Sequence, residues 1–238
     1  MKYPLKREQI IYYSYKYKGE YARIIKAIKD DEDYKRLDIH NCLTILDAEY
    51  PKELSLLHYP PLVIYYKGDL SLLKEDKAAI VGSRIASDYA KEATIKLTEK
   101  LNEQNLVIIS GLALGIDAIA HFHAKRTIGI LGSGIDYYYP RQNEKLIKEC
   151  SKKHLILSEY PGLTTPLKHH FPIRNRMIAA LGRELYVMQA SVKSGTMTTV
   201  KHAMDLNRDV YALPYRIFDS EGEACNMLIQ EGAQMIVL

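Results

Sequence analysis

The chain has 238 residues, 47% of them hydrophobic, which is enough for one sizeable core and a small accessory unit. Its three cysteines, Cys42, Cys150 and Cys225, are far apart and lack CxxC spacing, which argues against a disulfide framework or zinc site and for a reducing compartment. A net charge of +4 is too mild to imply a nucleic-acid partner by itself, and with no run near the roughly 18 apolar residues of a membrane span and no apolar core in the opening MKYPLKREQ, the expectation is a cytoplasmic protein with no membrane role.

In chain order, Leu5 to Ile28 is rich in Tyr, Lys and Ile at helical spacing, and an acidic break at Asp30 to Asp33 ends it. Residues 1–40 therefore read as a small helical domain, in which Tyr12, Tyr13, Tyr15 and Tyr17 are expected to pack rather than to stack on bases. Residues 41–77 read as an extended segment joining this domain to a sheet, with Pro60-Pro61 followed by strand-like alternation.

From residue 78 to 238 short Val- and Ile-rich runs alternate with helical patterns. The runs are AAIVG (78–82), LVIIS (106–110), TIGILG (127–132), LILSEY (155–160), ELYVMQ (184–189), DVYAL (209–213) and QMIVL (234–238). Ala90, Ala93, Leu97 and Leu101 recur at helical spacing between the first two runs, and Val200, Ala203 and Met204 do so before the sixth. This alternation predicts an α/β fold with a doubly wound, mostly parallel sheet, whose ligands collect at the carboxyl ends of the strands.

The residues at those ends favour anions. Gly82-Ser83-Arg84 offers a tight turn, a hydroxyl and a guanidinium. Ser110-Gly111 and Gly115 bracket a second turn, Gly132-Ser133-Gly134 ends the third strand, and Ser194-Gly195-Thr196 precedes a helix expected near Thr198. Each alone is equally a cap or a tight turn; the argument is their convergence. No GxGxxG opens a helix, and KSGT at Lys193 to Thr196 is not a Walker A sequence, so neither NAD nor ATP is suggested and no cofactor is expected.

His121 and His123 stand two apart, on different faces of a helix, which defeats a two-histidine metal site. His121 is expected to pack locally and Asp117 to steady a helix start. No acid–base pair and no nucleophile elbow is found, so no catalytic residue is assigned. Between Glu159 and Asp205 the cations Lys168, Arg174, Arg176, Arg183, Lys193 and Lys201 face the single acid Glu184, a local basic field whose plain alternative is a solvated surface.

The strings SGLALGIDAIAH (110–121), GSGIDYYYPRQN (132–143), SEYPG (158–162), FPIRNRMIA (171–179) and SGTMTT (194–199) together resemble the DNA-processing protein A family, with similarity from about Leu43 to NMLIQEGA near the end. The resemblance implies an extended Rossmann-like domain that binds single-stranded DNA, protects incoming DNA and helps load the RecA recombinase in natural transformation, without catalysis. By position, Gly82, Ser83 and Arg84 match its phosphate-binding motif, Lys168 and Phe171 its basic and aromatic DNA contacts, and Arg174 and Asn175 its F-P-x-R-N. Lys168 and Arg174 would then neutralise phosphates while Phe171, held extended by Pro172, gives a base a face to stack on. The resemblance also implies a homodimer, for which Met227, Leu228 and Ile229 in the apolar segment 226–232 are the candidate interface, burial under the last strand being the alternative. Gln189, Tyr215 and Leu181-Gly182 depart from the family pattern.

The competing function is a nucleotide-binding, phosphoribohydrolase-like enzyme, which uses a similar sheet. Its P-G-G-x-G-T motif and following Glu have no counterpart in Val192-Lys193-Ser194-Gly195-Thr196-Met197.

Overall fold

The computed structural model describes residues 5–238. Two helices, α1 (Arg7–Lys16) and α2 (Tyr21–Lys29), come first, followed by β1 (Cys42–Thr44), α3 (Lys52–Ser55) and β2 (Val63–Gly68). The alternating region then runs β3 (Lys77–Val81), α4 (Asp88–Glu103), β4 (Val107–Ser110), α5 (Ile116–His123), β5 (Thr127–Gly134), α6 (Glu144–Lys153), β6 (Leu155–Tyr160), α7 (His170–Leu181) and β7 (Glu184–Val187). It ends with α8 (Gly195–Asp205), β8 (Asp209–Ala212), α9 (Glu223–Gln230) and β9 (Gln234–Met235).

One sheet takes the order β1-β2-β6-β5-β4-β3-β7-β8-β9. The pairs from β6 to β9 are parallel, while β1 and β2 join antiparallel at one edge. The mixed, mostly parallel α/β class is thus as the alternation requires. Strand β3 shows why its run is continuously apolar: Ala78 and Ile80 pack with Leu97 and Leu101 of α4, while Ala79 and Val81 pack with Met177, Ala180 and Val200 of α7 and α8. Side chains alternate with period two, so a sheet covered on both faces needs an apolar residue at every position.

Helices α1 and α2 join this architecture through a shared cluster, in which Ile10, Tyr13, Ile24 and Ala27 pack with Tyr65, Leu131, Ile147 and Ile156. The segment 41–77 supplies β1 and β2, so it lengthens the sheet. Tyr13 is buried as expected, but Tyr15 is exposed. On α8 the buried positions are Thr199, Val200 and Ala203, and Met204 faces out. Among the described residues no helix is long and apolar enough to cross a membrane.

From β3 the chain builds outward through β4, β5 and β6, then α7 carries it back so that β7 starts the other half beside β3. The connections diverge at the carboxyl ends of β3 and β7, which opens the crevice where sheets of this kind hold ligands.

Candidate nucleic-acid interface

At the end of β3 the loop Gly82-Ser83-Arg84 is fastened on two sides. The Ile116 amide donates to the Ser83 carbonyl (3.1 Å), tying the loop to the start of α5. Gly115, at φ +73°, lies so close that a Cβ there would stand 2.3 Å from the Ser83 oxygen. On the other side the buried Gln189 side chain accepts from the Ser87 amide (2.8 Å) and hydroxyl (3.2 Å) and donates to the Ile85 carbonyl (3.2 Å). Gln189, the departure from the family pattern, is therefore a latch across the crevice.

Arg84, left exposed by this arrangement, holds its guanidinium carbon 5.4 Å from the centre of the Phe171 ring. The half-buried ring lies against Gly132, where a Cβ would come within 2.8 Å of it, and Tyr139 sits beside it at 5.8 Å between ring centres. Lys168 is exposed three residues earlier, and Lys193 is exposed in the loop after β7. Among the described residues none of Arg84, Lys168 and Lys193 is engaged in an ion pair.

Helix α8 begins directly after Ser194 with no side-chain cap, earlier than the Thr198 expected, so Gly195 and Thr196 lie in its first turn. Asn175 donates to the Gly195 carbonyl (3.2 Å), joining α7 to that turn. The result is an edge with free cations, aromatic rings and first-turn amides, and this combination suits phosphates and unstacked bases.

Several sequence expectations are corrected. Arg174 is 4% exposed and donates through Nη1 to the carbonyls of Gly111 and Ile130, with Asp117 nearby. It ties the turn after β4 to the middle of β5 and faces no solvent phosphate. Burial lowers its pKa to about 10, the Asp117 charge opposing, and it stays a cation at neutral pH. Both residues belong to α7 and share one face of it: Phe171, in the first turn, packs on Gly132 at the edge, while the longer Arg174 side chain, one turn deeper, reaches the carbonyls beneath. Phe171 is consequently helical rather than extended, with Pro172 in the first turn where a missing amide is harmless.

Ser110 and Gly111 are buried as well. The Ser110 hydroxyl donates to the Ile80 carbonyl (2.6 Å), and the Gly111 amide donates to Asp117 (3.2 Å), so both hold strand ends together. Asp117 steadies the turn before α5, as anticipated in outline. Burial raises its pKa against the pull of Arg174. Buried His121 bonds through Nδ1 to the Thr127 hydroxyl (2.6 Å), and burial drives its pKa down to about 3.

The basic field shrinks too. Arg176 forms a buried two-pronged pair with Glu159 (2.7 and 2.8 Å), and burial, which would lower its pKa, is outweighed by that partner. His170 is buried against Tyr160, and Arg183 precedes β7 at the opposite edge of the sheet. Leu228 is 3% exposed within the core and unavailable to a second copy, whereas Met227 and Ile229 are half-buried. Tyr139 and the latching role of Gln189 were missed; the Tyr-rich run after Gly134 was the signal for the first, and only the fold reveals the second.

The sequence matches the profile of DNA recombination-mediator protein A over residues 41–238. The chain belongs to that family. It is 44% identical over 197 residues to the DNA processing protein DprA of Streptococcus pneumoniae, covering 81% of this chain and 70% of that one. Against protein Smf of Escherichia coli the identity is 33%, over 80% of this chain and 52% of the other. The X-ray structure of the pneumococcal protein superposes with a TM-score of 0.81 at 40% identity, over 90% of this chain and 77% of that one. A Helicobacter pylori relative, whose structure is described as giving insights into its single-stranded DNA binding mode, superposes with a TM-score of 0.77 at 37% identity, covering 83% and 91%. Gly82-Ser83-Arg84 and Phe171 both lie within the matched span, at the carboxyl-edge crevice.

Proposed function

We propose that this protein binds single-stranded DNA along the carboxyl edge of β3, β5 and β7, delivering it to a RecA-type recombinase during DNA processing and transformation, without catalysing a reaction. The reading is carried by the Arg84 guanidinium poised over the Phe171 ring, with Lys168 and Lys193 free on either side of α7. Phe171 and Tyr139 offer faces to unstacked bases, and the cations with the exposed first turn of α8 take successive phosphates. Gly82, Ser83, Asn175, Ser194, Gly195 and Thr196 shape the phosphate-facing loops. The Helicobacter pylori relative's described binding mode supports the choice of ligand.

A homodimer belongs to this proposal, with the half-buried Met227 and Ile229 as the interface candidates left, and sedimentation at tens of micromolar protein tests it. Residues 1–40 are proposed as an accessory helical unit, 41–77 as its connection and 78–238 as the DNA-binding domain. In gel shifts with single- and double-stranded oligonucleotides the single strand is expected to bind more tightly. Arg84→Ala and Lys168→Ala should each weaken binding alike for all sequences. With three free cations, log affinity should fall against log salt with a slope near roughly −2. Equal affinity for duplex and single strand, or no salt dependence, would overturn the reading.

A further inference from the structure

Tyr15, in the last turn of α1, and Lys18, on the turn that follows, line an open cleft of about 240 Å³ whose far wall is Pro161, Gly162, Leu163, Thr164 and Thr165, the loop that leaves β6. This loop is continuous with Lys168 and Phe171, and it is anchored: the Gly134 amide donates to the Thr164 carbonyl (2.7 Å) and the Asp136 amide to that of Gly162 (2.9 Å). From Thr165 to Phe171 is six residues, at most about 20 Å of chain. Cleft and crevice are thus two parts of one rim.

The chemistry of the cleft repeats that of the crevice. Tyr15 is 53% exposed, and its ring is surplus to the tyrosine packing that Tyr13 and Tyr17 provide. Leu163 and Leu167, 72% and 46% exposed, line the way between with apolar surface. Lys18 is exposed, whereas neighbouring cations are taken: Lys16 pairs with Glu32 (2.7 Å), and Arg23 lies 3.7 Å from the Glu20 carboxylate.

Lys18 also sits at φ +51°, in the left-handed region that Asn or Gly occupies far more comfortably. Local stability alone would not select lysine here.

We infer that bound single-stranded DNA continues from the strand-end crevice over the loop 161–168 into this cleft, where Tyr15 stacks on a base and Lys18 meets a phosphate. The inference rests on the proposed DNA binding and extends it to a second subsite formed with the helical unit. A path of this length fits single-strand sites of about 4–16 nucleotides.

The test is fluorescence anisotropy of the full chain with oligothymidylates of about 6 and about 20 nucleotides, titrated with the parent, Tyr15→Ala and Lys18→Asn. For the long strand Tyr15→Ala should lose about fivefold or more in affinity, and Lys18→Asn should make the salt slope shallower by roughly 0.7. The short strand, satisfied by the crevice, should bind all three alike. Lys18→Asn should melt at or above the parent temperature, because it relieves the left-handed lysine while removing the charge. Stability and long-strand affinity would then move in opposite directions, which a structural role for Lys18 does not give. Parent-like binding of the long strand by both variants overturns this subsite and leaves the crevice standing. Failure of the parent to bind either strand overturns both.

Discussion

Replacing Arg174 by Ala separates a structural cation from a DNA-contacting one. The guanidinium is buried, and its Nη1 donates to two carbonyls distant in sequence, that of Gly111 just after β4 and that of Ile130 within β5. Hydrogen bonds from a charged donor contribute about 1.5–3 kcal/mol each. Two such bonds are lost together, and Asp117 loses the nearby charge that opposes the effect of its burial. These contributions overlap, so the expected loss is about 3–5 kcal/mol, or roughly 6–20 °C in melting temperature for a domain of this size. A further signature comes from pH. Burial already holds the Asp117 pKa above its ordinary value, and without Arg174 it rises further. A carboxyl whose folded pKa is raised binds its proton more tightly when folded, so its destabilisation grows as pH rises from the unfolded value through the folded one. The variant's deficit against the parent should accordingly be smaller at pH 5 than at pH 8 in urea titrations. An Arg174→Ala protein that melts within about 2 °C of the parent but has lost DNA affinity would refute the bracing role and restore Arg174 to the DNA surface.

Phe171→Leu should keep the fold, since the ring is only half-buried, yet lower single-strand affinity by about 1–3 kcal/mol because leucine has no π-face; unchanged titration curves would remove the stacking role. Gln189→Ala deletes the latch on Ser87 and Ile85, so amide exchange should quicken at Ser87 and DNA affinity should fall severalfold, an unaltered exchange rate showing that the loop holds itself. His121, with its folded pKa depressed to about 3, leaves the unfolded chain binding the extra proton between that value and about 6.5, so stability is lost as pH falls through this window, by up to about 1.4 kcal/mol per pH unit. In His121→Asn that part of the pH dependence should vanish when urea midpoints at pH 7 and pH 5 are compared, and a slope equal to the parent's would contradict the assignment.

The central strands were legible because burial on both faces leaves a mark in them: runs such as AAIVG and LVII have no polar position to spare, whereas the edge strands β8 and β9 are partly exposed. The crevice was legible for a related reason, since turns that bring backbones together demand glycine, as at Gly115 against Ser83. The small helical unit was visible as composition, but its attachment to β2 and α6 was not, because Tyr13 and Ile24 look alike whether they pack among themselves or against a sheet.

Charge was the unreliable guide. In KHHFPIRNR the five potential cations look equivalent, yet helical geometry sends Lys168 and His169 to water, His170 onto Tyr160, Arg174 onto the Gly111 and Ile130 carbonyls and Arg176 onto Glu159. What decides each fate is whether carbonyls or a carboxylate from distant strands wait where the side chain arrives, and those partners lie 17 to 63 residues away in sequence. The same long-range logic brings Arg84, 87 positions before Phe171 by residue number, to within 5.4 Å of its ring centre. On the proposed reading the buried arginine would serve DNA binding indirectly, since it ties Gly111 to Ile130, two residues before the Gly132 on which Phe171 packs.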